Sequence, residues 1–281
     1  MMAAPGAMRR LTLEPTATVS VLANPSGECA PQVLAIAAWA SAQGLRTVGL
    51  GTTDRAGDVP EEGGLVIALG GDGTILRALQ VALVHDSPVL GVNFGHLGFL
   101  ADLDGEDLAS ALDSIARGKA QIDERTALLA SSQMPVPQTV VAFNDLVISR
   151  RAGFGSARLH VEVSGEPVLD IVGDGLVVAS PTGSTAYTVE AGGPAVSPTL
   201  DAIVLTPLAA QGTPLRSMVL DGRDTIRIES APRSAPLAVE VDGRTRHDMP
   251  TPATVDVRAA AGKARLVRTR PRTFYGDLAR R

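Results

Sequence analysis

Leu65-Val66-Ile67-Ala68-Leu69-Gly70-Gly71-Asp72-Gly73-Thr74 runs from five apolar residues into three glycines around one aspartate. An unbroken apolar run of this length reads as a strand buried on both faces, the pattern of a parallel sheet covered by helices. The apolar spacing of Ile75–Val84 then predicts a helix. Upstream, Thr18–Ala23 is a β-branched, apolar strand ending at the turn cluster Asn24-Pro25-Ser26-Gly27. Pro31–Gln43 carries a helical face of Val33, Leu34, Ile36, Ala37 and Ala40, closed by Gly44. Arg46–Leu50 and Val89–Val92 add strands, and Asp107–Ala116 adds a helix. The expectation is an α/β N-terminal domain with a Rossmann-like open parallel sheet.

From about Gln121 the texture changes. Val140–Ser149, Arg158–Val163, Leu169–Ala179, Ile203–Pro207, Thr225–Glu229, Leu237–Val241, Thr254–Val257 and Ala264–Arg268 are strand-like runs separated by turn residues. Strands without intervening helices predict a β-rich, β-sandwich-like C-terminal domain. The boundaries follow as 1–105 and 106–264, with the tail 265–281 packing back on the first domain.

Composition narrows the function. The chain has 281 residues, of which 45% are hydrophobic and 20% charged, so it can bury a sizeable core. A net charge of −5 argues against a nucleic-acid partner, despite the arginines near the C-terminus. A single cysteine, Cys29, excludes a disulfide framework and any Cys-rich metal centre. No apolar run is long enough to span a membrane, and Met1–Arg10 has no signal-type apolar core, so a cytoplasmic address is expected.

Three segments carry candidate chemistry. In Gly70–Thr74, glycines let backbone N–H groups approach a phosphate without Cβ obstruction, and the following helix N-terminus favours the anion. Asp72, a carboxylate beside such a cradle, earns its place by binding a metal or removing a proton; the plain alternative is a helix cap. Neither lysine of the chain is near, so this is not a Walker A loop. The second segment runs from Gly173-Asp174-Gly175 through Ser180-Pro181-Thr182-Gly183-Ser184-Thr185-Ala186-Tyr187 to Gly192-Gly193-Pro194, small and hydroxylated residues that expose donors to a polar ligand. The third is Phe143-Asn144-Asp145, where an amide can read a base edge and a carboxylate can accept from ribose hydroxyls.

In order and spacing, Gly70–Thr74, Val92–Leu100, Asn144-Asp145, Gly173–Pro194, Leu205-Thr206-Pro207 and Val241-Asp242-Gly243 resemble the NAD kinase family. The resemblance implies an active site between the two domains and a homo-oligomer, dimer or tetramer. It implies transfer of the ATP γ-phosphoryl group to the 2′-hydroxyl of the adenosine ribose of NAD, with Mg2+ or another divalent metal. Asp72 would match the catalytic carboxylate, and Gly70, Gly71, Gly73 and Thr74 the phosphate-binding turn. Asp145, where the family usually has Glu, would bind the same ribose. Asn144, Thr182, Thr185 and Ala186 would contact adenine, Asp174 and Tyr187 would face the nicotinamide riboside, and Phe99 would line the pocket. His96 and His247 are not assigned a role.

Glu190 departs from the pattern, standing where the family commonly carries Ser on the nicotinamide side. Beside a diphosphate it would add an unfavourable charge, which raises the alternative of another adenosine-type acceptor on the same scaffold.

Overall fold

The computed structural model describes residues 8–14, 17–24, 29–50, 64–94, 98–132, 138–212, 216–271 and 273–279. In chain order the elements are β1 (Met8–Arg10), β2 (Thr18–Ala23), α1 (Ala30–Ala42), β3 (Arg46–Leu50), β4 (Leu65–Leu69), α2 (Asp72–Ala82), β5 (Val89–Asn93), β6 (Leu103–Asp104) and α3 (Leu108–Ala116). There follow β7 (Gln121–Ser132), β8 (Gln138–Ala142), β9 (Asp145–Arg150), β10 (Ala157–Val163), β11 (Glu166–Gly173), β12 (Gly175–Ala179) and α4 (Tyr187–Glu190). The remainder is β13 (Ala202–Leu208), β14 (Met218–Asp221), β15 (Thr225–Ser230), β16 (Leu237–Val241), β17 (Thr245–Met249), β18 (Thr254–Arg268) and α5 (Phe274–Leu278).

The chain divides into two units, one of residues 8–125 with 263–279 and one of residues 126–262. The division falls at Arg125, later than the boundary at 105 read from the sequence. The reason is α3: Leu108, Ala111, Leu112 and Ile115 are buried in one cluster with Val19, Ile67 and Leu90.

In the first unit, β3, β2, β4 and β5 pair in parallel in that order, and Leu266 of β18 pairs in parallel with Val89 of β5. All five residues of β4 are buried, as its unbroken apolar run requires of a strand covered on both faces. The order reverses between β2 and β4: one crossover leads from β2 outward to β3, the other from β4 outward to β5. Ligands of open α/β sheets bind outside the carboxyl ends of the strands at such a reversal. Gly70–Thr74 leaves β4 at that end.

The second unit has two sheets. One contains β11-β10-β15-β18, the other β14-β13-β12-β9-β16-β17, mostly antiparallel. Their inward faces share one core that includes Leu146, Ile148, Leu159, Val161, Leu176, Val178, Ile226 and Ile228.

Two runs read from the sequence as single strands are each broken. Val140–Ser149 is interrupted at Phe143-Asn144, and Leu169–Ala179 at Asp174, where the chain leaves β11 in one sheet and enters β12 in the other. Gly175 permits that second corner: its φ is +153°, and a Cβ there would strike the Ile148 carbonyl. Conversely, Thr254–Val257 and Ala264–Arg268 form one continuous strand, β18.

Candidate functional site

The Gly70–Thr74 turn is built around two close approaches. Gly70 donates its N–H to the Val92 carbonyl at 2.8 Å, and its φ of +154° brings it against Thr74, whose Oγ1 would lie 2.5 Å from any Cβ. Gly71 caps α2 without a side-chain bond, so Asp72 is not the helix cap. Its carboxylate instead accepts the N–H of Phe99 at Oδ2 (3.0 Å) and of Leu100 at Oδ1 (3.2 Å). Gly98 lies beneath it, and a Cβ on Gly98 would overlap all three atoms of the carboxyl group. The half-buried carboxylate is thereby held in one orientation at the first turn of a helix.

Two neighbours complete this cluster. Phe99 packs on Phe274 of α5, with ring centroids 6.3 Å apart. Asn93, at the end of β5, is buried, and its Nδ2 has no hydrogen-bond partner among the described residues. Its Oδ1 would be 3.8 Å from a Cβ on Gly71, so this amide borders the glycine turn. Asn93 falls inside the Val92–Leu100 motif, where the sequence alone gives it no individual role.

The second unit gathers Asn144, Asp145, Thr182, Thr185, Ala186 and Tyr187 around the Phe143-Asn144 corner. The corner is held by Asp242, whose Oδ1 accepts the N–H of Phe143 (2.9 Å) and of Asn144 (2.7 Å). Ser180 closes it from the other side, donating Oγ–H to the Phe143 carbonyl at 2.6 Å and its own N–H to the Asn144 carbonyl at 2.8 Å. Gly183 packs on the Asn144 backbone so tightly that a Cβ would collide with the Asn144 carbonyl. In the sequence Asp242 stands in the Val241-Asp242-Gly243 motif and Ser180 in the second candidate segment, neither with an individual role.

Asp145 is 4% exposed. Burial, with the Asp242 and Glu240 charges added, pushes its pKa up to about 7, against a lowering contribution from the Tyr187 backbone N–H, which donates to the carboxylate. Thr182 and Thr185 lie in a single 3-10 turn and are buried. Thr185 Oγ1 donates to the Thr182 carbonyl at 3.3 Å, whereas Thr182 Oγ1 has no partner among the described residues. Ala186 N–H donates to the Gly183 carbonyl at 2.9 Å, and Tyr187 is 45% exposed.

Asp174 lies apart from this group, whereas Glu190 stands one turn beyond Tyr187 in the same short helix. Asp174 is at the opposite end of β12, roughly 20 Å away at ~3.3 Å per strand residue, and accepts from Arg150 Nε at 2.5 Å. Glu190 ends α4 with its side chain exposed. His96 and the His247 side chain lie outside the described residues.

A glycine-cradled carboxylate at the reversal point of a parallel sheet, in a chain that also builds a buried polar corner from Asn, Asp and Thr, defines a nucleotide-handling phosphotransferase. Comparison with known proteins narrows the class. The ATP-NAD kinase N-terminal domain matches residues 55–120 and the ATP-NAD kinase C-terminal domain residues 143–269. The NAD kinase of Chloroflexus aggregans is 36% identical over 272 residues, 94% of this chain and 97% of that protein. That of Moorella thermoacetica is 38% identical over 75% of this chain and 68% of that protein. The chain belongs to the NAD kinase family. Its fold is that of yeast NADH kinase, solved with NADH (TM-score 0.81, 21% identity, 99% of this chain and 93% of that one). An Archaeoglobus fulgidus NAD kinase solved with ATP gives a TM-score of 0.75 at 22% identity, over 93% of this chain and 98% of that one.

Proposed function

We propose that this protein transfers the γ-phosphoryl group of ATP to the 2′-hydroxyl of the adenosine ribose of NAD, yielding NADP. Family membership supports the reaction, and one observation carries the assignment of its base: Asp72 is turned off the helix cap and held by two backbone donors. A secondary hydroxyl is a poor nucleophile at neutral pH, and a carboxylate fixed within reach accepts its proton as the bond to phosphorus forms. The Gly70–Thr74 turn cradles phosphate oxygens. Asn144, Thr182, Thr185 and Ala186 contact adenine, while Asp145 binds the ribose and Tyr187 borders the nicotinamide half.

Mg2+ fits these residues as a companion of the triphosphate. Among the described residues no group of three His, Cys, Asp or Glu side chains could hold an ion alone. Magnesium commonly keeps its waters and takes one or two carboxylates plus substrate phosphates, a demand that Asp72 can meet. When bound it would neutralise charge on the phosphates.

A cytoplasmic, homo-oligomeric enzyme, dimer or tetramer, belongs to the same proposal. No helix among the described residues is long and apolar enough to cross a membrane. Glu190 is exposed at the end of α4, where a carboxylate can stay in solvent, and the plain NAD reading is kept. The deciding experiment incubates purified protein with Mg-ATP and NAD, NADH, adenosine, AMP or ADP and weighs the products. NADP from NAD is expected; no phosphorylated NAD or NADH would overturn the proposal.

A further inference from the structure

We propose that the C-terminal tail is part of the catalytic apparatus, with Arg268 as a positioning residue that fixes the backbone segment holding Asp72. The inference rests on the role given above to Asp72. The segment is Phe99–Asp102, and the tail grips it residue by residue. Arg268, 7% exposed, donates Nη1–H to the carbonyls of Leu100 (3.1 Å) and Ala101 (3.4 Å). Thr269 donates its N–H (3.0 Å) and Oγ–H (2.6 Å) to Asp102 Oδ2. Arg270 Nε donates to the Asp102 carbonyl at 3.0 Å, and Phe274 packs on Phe99.

The same segment presents its Phe99 and Leu100 N–H groups to the Asp72 carboxylate. The guanidinium therefore sits one peptide away from the donors that aim the carboxylate. Arg268 is itself anchored, since Nε donates to Asp123 Oδ2 at 3.3 Å, and Asp123 is held by Arg125 at 2.9 Å. Burial alone would raise the Asp123 pKa, but the two arginines outweigh it and hold the group ionised at neutral pH. A planar guanidinium can serve two carbonyls and a carboxylate at once in fixed directions, which a lysine ammonium on a flexible stem cannot reproduce. An error of about 1 Å in a catalytic group, caused from a distance, can cost ~10²-fold in rate.

The test uses full-length Arg268→Lys, with Thr269→Val and Phe274→Leu as variants that leave the buried arginine in place. Turnover should fall about 10- to 100-fold in Arg268→Lys, with KM for NAD and ATP within about threefold and a melting temperature lowered by the lost buried hydrogen bonds but still above the assay temperature. Independently of activity, hydrogen exchange in residues 98–103 should quicken in all three variants while the rest of the first unit keeps its protection. Wild-type turnover with unchanged exchange in folded variants would overturn the inference, and so would a uniform loss of protection with kcat and KM worsening together. If Arg268→Lys fails to fold, the other two variants decide alone. A wild-type protein that does not phosphorylate NAD would defeat the functional proposal instead, and leave the exchange result to stand or fall by itself.

Discussion

Asp242 and Asp145 are joined backbone to backbone, the Asp242 N–H donating to the Asp145 carbonyl at 3.0 Å, while the Asp242 carboxylate takes up the N–H groups of Phe143 and Asn144. One carboxylate is thus satisfied by donors, and it leaves its charge beside the other. Burial and that neighbour raise Asp145 to about 7.

The sign of the consequence is fixed. A carboxyl raised from about 4 in the unfolded chain to about 7 when folded holds its proton better in the native state. Its contribution to stability is complete below pH ~4 and is lost as pH rises toward and through 7. The stability difference between wild type and Asp145→Asn should therefore shift against wild type by up to about 1.4 kcal/mol per pH unit from pH 5 to 7. Urea unfolding at four pH values measures it, and a difference independent of pH would show that Asp145 titrates normally.

Gly98→Ala should cost activity through Asp72. The added methyl would overlap the carboxylate, so either Asp72 turns or the Phe99 and Leu100 donors retreat. Turnover should fall by about 10²-fold, with smaller changes in KM. A folded Gly98→Ala enzyme of normal kcat would mean that this orientation of Asp72 is not the working one.

How far the sequence could be read follows from what each signal reports. Buried strands such as Leu65–Leu69 announce themselves by an apolar run, and β2, β3 and β4 lie where the pattern puts them. Broken strands do not: Val140–Ser149 keeps its β character through Phe143-Asn144, and partners far along the chain, Asp242 and Ser180, turn it. The first half of β7 carries Asp123, Glu124 and Arg125, all buried, so its charges hid a strand whose polar groups are paired within the fold. Asp72 stands out as a candidate because glycines surround it, and Asn144-Asp145 because an amide and a carboxylate sit side by side. Arg268 does not, since one arginine in a basic tail looks like any other until Leu100 and Ala101 lie beside it.

Asp72→Asn should lower kcat by about 10²–10⁴-fold and leave KM for NAD nearly unchanged. The amide can accept only one of the two N–H bonds, so a stability loss of about 1 kcal/mol should accompany it. Steady-state kinetics and a thermal melt check both, and retention of more than a few per cent of turnover would remove Asp72 as the base.

Thr182→Val should separate stability from binding. The Thr182 hydroxyl is buried with no partner among the described residues, so replacing it by a methyl group should leave stability unchanged or raise it by about 1 kcal/mol. If that hydroxyl meets the adenine, KM for NAD should rise several-fold while kcat holds, because the base does not change during the reaction. Unchanged KM would assign Thr182 to the fold alone.

Glu190→Ser addresses the departure from the family pattern that bears on the acceptor. Two like charges at 4 Å repel by roughly 4 kcal/mol at an effective dielectric of 20, but by only about 1 kcal/mol in water. The exposed Glu190 side chain at the end of α4 lies nearer the second limit, where salt screens it further. A carboxylate that turned onto the acceptor would weaken NAD binding and favour a less anionic adenosine compound. An exposed one has no such leverage. Glu190→Ser should thus leave kcat and KM for NAD within about twofold of wild type, as exposed substitutions commonly do, and the ratio of activity on NAD to that on adenosine should not move. A gain of tenfold or more in kcat/KM for NAD would show that Glu190 does reach the acceptor and restricts it.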